Sequence, residues 1–159
     1  MEKKRRAAGL SWPGVARAIW AQSASLYDRR SDHPISPATL TAVGKRGDCS
    51  CQHALFILRS LGQSPEDFLI GLPGGATSLP AAGSDRRLRW NLRGLFVAFD
   101  AERRSCNLTW RALAQELRCT PNQLSGLRRV RFAIGMQLAM RIVTWLGRSA
   151  RDFIVAAPW

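Results

Sequence analysis

The chain has 159 residues, enough for one ordinary domain or two small ones. Its 46% hydrophobic content excludes wholesale disorder, and no apolar stretch approaches the roughly 18 residues that a membrane span needs. Lys plus Arg number 24 against 11 acids, a net charge of +13, so a polyanion, nucleic acid first, is the expected partner.

The predicted elements follow in chain order. Lys3, Lys4, Arg5 and Arg6, an apolar patch and Ala21-Gln-Ser-Ala24 imitate a secretion signal or a nuclear signal. Pro13, Gly14 and Arg17 interrupt the patch, so a basic helix end or arm is the reading kept. Val15, Ala16, Ile19, Ile35, Leu40 and Val43 form an apolar code broken by Ala21 to Pro34. That stretch holds Tyr27, Arg29 and Arg30, offset by Asp28 and Asp32. Cys49-Ser-Cys51-Gln-His53 suggests a metal corner, but zinc needs four ligands and the only other histidine is His33. No metal or other cofactor is expected, and Asp48 or Ser50 reads as a helix cap. The four cysteines, 49, 51, 106 and 119, make no disulfide framework, and reduced thiols in a cytoplasmic protein are the default. Leu72 to Ser84 has the Gly, Pro, Ser and Ala composition of a linker.

Five helices are expected after it. Trp90, Leu92, Leu95, Phe96 and Phe99 recur at helical spacing over 90–104. Thr109 caps 110–117. Thr120 then Pro121 opens 121–129. Gly135 precedes 136–146, which Gly147 ends. Ser149 opens a short last helix through Ile154. No strand pattern competes.

One pattern is written twice. Leu10-Ser-Trp12-Pro-Gly-Val15-Ala16 matches Leu108-Thr-Trp110-Arg-Ala-Leu113-Ala114, Ser36-Pro37 through Leu40 matches Thr120-Pro121 through Leu124, and Leu61-Gly62 through Asp67-Phe68 matches Leu146-Gly147 through Asp152-Phe153. Arg5-Arg6 matches Arg103-Arg104 at the offset of the tryptophans. Two homologous units over 1–71 and 89–159, joined by a linker over 72–88, are expected. Their net charges are +4 and +8, with +1 on the linker.

Within the second unit, Thr109-Trp-Arg-Ala-Leu-Ala114, Thr120-Pro-Asn-Gln-Leu-Ser125 and Thr144-Trp-Leu-Gly147 through Asp152-Phe153 resemble the lambda-repressor-like, Cro- or XRE-type helix-turn-helix family. Leu113, Leu117, Cys119, Leu124 and Leu127 surround the small Ala114, and Arg118 stands where the family usually has glycine. The resemblance implies an all-α chain of two tandem five-helix units. The first lacks part of helix one and carries an insertion of 14 residues, Ala21 to Pro34. It also implies that helix three enters the DNA major groove. Carried over by position, Thr120, Asn122, Gln123, Ser125, Gly126 and Arg129 face the DNA, with Arg128 and Arg131 suited to phosphates. The repeat then offers Ser36, Ala38, Thr39, Thr41, Lys45 and Arg46 in the first unit. The insertion either reaches along the DNA backbone or loops from a unit that no longer binds DNA, and the residues leave both open.

Two His, one Tyr, no clustered acids and no phosphate-loop spacing point away from an enzyme. The expected function is a sequence-specific double-stranded DNA-binding regulator, a repressor, reading an asymmetric site with two linked units. The alternative is a protein-interaction module, an antitoxin, anti-repressor or adaptor, and a homodimer or other protein partner stays open.

Overall fold

The computed structural model describes residues 2–23, 35–68, 78–129 and 134–158, with the side chains of Lys4, Ser23 and Arg129 excepted. Residues 24–34 of the expected insertion, 72–77 of the expected linker, and Arg131 lie outside the described residues. The described chain is mostly helical. Its helices are α1 (Glu2–Ala7), α2 (Trp12–Trp20), α3 (Pro37–Arg46), α4 (Cys51–Leu61), α5 (Leu92–Ser105), α6 (Trp110–Glu116), α7 (Pro121–Arg129) and α8 (Met136–Trp145). Short 3₁₀ turns follow α2, α4 and α8. No helix among the described residues is long and apolar enough to cross a membrane.

The same local chemistry recurs in both halves. Arg5 and Arg6 pair with Glu2, while Arg103 and Arg104 pair with Asp100. Arg5 donates to the Leu10 carbonyl at 2.7 Å, and Arg103 to the Leu108 carbonyl at 2.6 Å. Each of these guanidinium groups covers the following tryptophan, Trp12 at 5.1 Å and Trp110 at 4.6 Å. The turn between the helices needs a left-handed residue. Gly9 supplies it at φ 62°, and Asn107, the side chain that best tolerates the region, at φ 54°. Ser11 and Thr109 then accept from backbone N–H groups to start α2 and α6.

The mostly helical fold is compatible with the expected all-α class, but the expectation that no strand competes is corrected by a two-stranded antiparallel sheet, β1 (Arg86–Trp90) with β2 (Ile154–Pro158), Arg86 opposite Pro158 and Trp90 opposite Ile154. β1 takes the end of the expected linker and the start of the expected helix over 90–104. Asn91 caps α5 instead, its side chain accepting from the Gly94 N–H. The expected last helix is only the 3₁₀ turn Ala150–Phe153, and Ile154 begins β2. The physical reason is period two: Leu88 and Trp90 are buried while Arg89 is exposed. A two-stranded ribbon is marginal alone, and α4 packs against it. The Gln52 amide donates to the Leu88 carbonyl, and the Arg59 guanidinium to the carbonyls of Ala82, Gly83 and Arg86. Residues 79–88 are therefore tied down, not a free tether.

Two apolar clusters form the core. Ala16, Ile19, Ile35, Leu40, Phe56 and Ile57 make the smaller. The larger gathers the helices and strands after Leu88, with Phe99 edge-on to Trp145 at 5.4 Å. Helix α4 enters both, giving Phe56 and Ile57 to the first and Cys51 and Leu55 to the second. The backbone groups of residues 49–51 and 134–136 also meet. Cys51 N–H donates to Ile134 O at 3.0 Å and Met136 N–H to Cys49 O at 2.8 Å, an antiparallel bridge centred on Ser50 and Gly135. In the smaller cluster the flanks of the insertion are closed by the Trp20 indole N–H, which donates to the Ile35 carbonyl at 2.7 Å.

Candidate nucleic-acid interface

Helix α6 ends where Leu117 closes its last turn, and Arg118 then adopts φ 51°. The Cys119 N–H returns to the Ala114 carbonyl and the Arg118 N–H to that of Gln115, so the chain reverses tightly. Arg118 thus takes the left-handed conformation that the glycine of the resembled pattern would hold without strain. The open carbonyls of Leu117 and Arg118 both accept from the Arg141 guanidinium of α8, at 3.2 and 3.1 Å. Arg141 was not singled out in the sequence, because its partners lie more than twenty residues back and leave no local signal.

Helix α7 begins with a reciprocal cap. The Thr120 hydroxyl accepts from the Gln123 N–H, and the Gln123 amide oxygen accepts from the Thr120 N–H at 2.8 Å. This engages the acceptor with which Gln123 would pair to adenine. Leu124 and Leu127 are fully buried and fix the helix on the core, so Asn122, Ser125 and Arg128 are turned outward and exposed. The Ser125 hydroxyl donates to the Asn122 carbonyl at 3.0 Å. A Cβ built at Gly126 meets nothing within 4 Å, so no packing among the described residues requires glycine there. Arg129 ends α7. Beside Asn122 and Gly126 lies a cleft of about 340 Å³, walled by Arg118, Arg141, Gln137 and Asp48.

In the first half, α3 presents the other set. Ser36 caps it, accepting from the Thr39 N–H, and its hydroxyl lies 2.9 Å from that of Thr39. Thr41 is half-buried and its hydroxyl donates to the Pro37 carbonyl at 3.0 Å. Ala38, Lys45 and Arg46 are exposed. Among the described residues each candidate set therefore lies on one helix and its N-cap, and the two helices belong to different halves of the chain.

Other sequence candidates go elsewhere. Burial, with Asp48 adding to it, pushes the Cys49 thiol up to about 11, and burial pushes Cys51 up to about 12. Both are protonated at neutral pH, so neither is a reactive thiolate in the chain as it stands. Among the described residues no group of three His, Cys, Asp or Glu is placed to hold a metal ion. Ser50 caps α4, and Asp48 reaches across to the Gln137 N–H at the start of α8. A wider apolar groove of about 890 Å³ runs between α4 and α8, with Leu58, Phe68, Met140 and Trp145 in its walls.

No family model matches this chain, no curated protein matches it, and no solved structure matches it.

Proposed function

We propose that this chain is a sequence-specific double-stranded DNA-binding protein, a transcriptional repressor acting by occupancy, built from two tandem helix-turn-helix units. The observation that carries the reading is the α6–turn–α7 arrangement. Two buried leucines lock α7 down, and its opposite side offers an amide, a hydroxyl and a cation, with a glycine nearby that no packing among the described residues demands. Asn122 can pair bidentately with adenine, and Arg128 is suited to phosphate. The net charge of +13 supplies the long-range attraction.

The test is a gel shift on random duplex DNA, followed by selection of bound sequences. Asn122→Ala is expected to cost about 1–3 kcal/mol on the selected site and to relax preference at one base pair. Arg128→Ala is expected to weaken all sequences nearly equally and to reduce the slope of log K against log salt by about one. The groove between α4 and α8, where Phe68 is 57% exposed, favours a second reading as a protein-binding adaptor. Partner binding that is indifferent to salt, with no retained duplex, would select it.

A further inference from the structure

Resting on the DNA-binding reading, we propose that the chain reads an inverted pair of half-sites of unequal information. Helix α7 specifies one arm, and α3 holds the other mainly through its backbone phosphates. The orientation follows from the bridge at Ser50 and Gly135. These two positions are separated by the same sequence offset as Leu61 and Leu146, so each is the other's repeat counterpart. Cys51 donates to Ile134, and Met136, the counterpart of Cys51, donates to Cys49, the counterpart of Ile134. Exchanged bonds between matching positions, with the strands antiparallel, are the signature of a two-fold relation. A translation of one half onto the other would not return the second bond.

The neighbouring elements keep the same relation. Helix α4 packs on its counterpart α8. The turn after α4 meets the turn after α8, where the Glu66 carboxylate accepts from the Ser149 hydroxyl and the Ala150 N–H at 2.9 and 2.7 Å. In sequence, α3 and α7 each end a few residues before this bridge. Arg46 is four residues from Ser50 and Arg129 six from Gly135, and at about 3.6 Å per residue their ends lie within about 14 and 22 Å of the bridge. The two helices can therefore address successive major grooves about 34 Å apart on one face of the duplex. Two helices related by a two-fold meet oppositely directed strands, so the arms are inverted.

The inequality follows from the side chains. Asn122 on α7 corresponds to Ala38 on α3, which has only a methyl group to offer a base edge. Exposed Ser125 corresponds to half-buried Thr41; the hydroxyl of each donates to a carbonyl of its own helix, so the difference between them is exposure. Gln123 corresponds to Thr39, whose hydroxyl faces Ser36. Beyond Ala38 and Gly44, α3 exposes Lys45 and Arg46, cations suited to phosphates.

The experiment is selection of bound duplexes from a randomised library by the full chain, run in parallel with Asn122→Ala and Ala38→Asn. The unmodified chain is expected to yield two inverted arms, one sharply defined and one diffuse. Asn122→Ala should flatten the sharp arm. Ala38→Asn should add a preference of about 10- to 100-fold at the mirror-related position of the diffuse arm, moving the motif toward a palindrome. Direct arms, equally sharp arms, or a single arm with no protection beside it overturn this inference and leave the DNA-binding reading standing. No duplex retained at any salt overturns both. Ala38 and Asn122 are exposed, and melting curves matching the parent chain establish that the variants are folded.

Discussion

Arg118 holds a backbone conformation that costs an L-residue about 1–2 kcal/mol. Glycine removes that strain but loses more freedom on folding, so Arg118→Gly is expected to gain about 0.5–1 kcal/mol. Urea unfolding with an unchanged slope and a raised midpoint is the result to look for. A lowered midpoint would mean that the arginine side chain contributes more than its backbone costs. Gly126 makes the complementary case. It lies inside α7 with open space where a Cβ would go, so Gly126→Ala is expected to stabilise the free protein by about 0.5–1 kcal/mol. If α7 lies close in the major groove, the same methyl should weaken duplex binding several-fold. Opposite signs on the two measurements support the assignment, whereas a gain in stability with unchanged binding would take α7 out of the interface.

At the scale of the element, α1 and the end of α5 are held by the same carboxylate–arginine chemistry. Arg5 and Arg6 hold the Glu2 carboxyl well below its ordinary range, at about 2. Burial alone would raise Asp100, yet Arg103 and Arg104 outweigh it and the net direction is downward. A carboxylate lowered in the folded state stabilises above its ordinary range, and the contribution is lost as pH falls toward the lowered value. The Trp12 indole resonance, with Arg5 over its ring, should therefore move as pH falls from about 5 to about 2, by the cited Glu2 shift. In Glu2→Gln it should already sit near its acid position, and an indole that ignores both changes would show that the pair does not position Arg5.

The sequence disclosed these elements unevenly. Caps at Ser50, Thr109 and Thr120, and the glycine end at Gly147, are local and were legible from neighbouring residues. The strands were not, because Arg86-Arg87-Leu88-Arg89 and Ile154-Val-Ala-Ala lie far apart and gain order only by pairing. Arg141, which holds the reversal between α6 and α7 from α8, was hidden for the same reason. The exposed set on α7 was legible as a pattern, but the engagement of the Gln123 oxygen in its own cap needed coordinates.

At the scale of the whole molecule, the repeat does more than duplicate a motif: matching positions meet at Ser50 and Gly135, and a side chain from one half completes a helix of the other. Gly135 starts α8 without a side-chain cap of its own, and Asp48 supplies the acceptor, bonding the Cys49 and Gln137 N–H groups. A Cβ at Gly135 would stand 2.8 Å from Asp48 Oδ2, the oxygen that makes neither bond, so that end of the carboxylate must turn aside. Gly135→Ala is therefore expected to destabilise the chain by about 0.5–1.5 kcal/mol, because turning Oδ2 aside disturbs the two bonds that Oδ1 accepts. The control is the double variant. Once Asp48→Ala has removed the carboxylate, the added methyl has nothing to displace, so the pair should be no less stable than Asp48→Ala alone. Chemical denaturation of the four proteins checks this, and additive losses would mean that the close approach at Gly135 is not what joins the halves. If it does join them, Gly135→Ala should also weaken binding to a two-armed duplex more than to either arm alone, since its effect is on the spacing of α3 and α7 and not on what either helix reads.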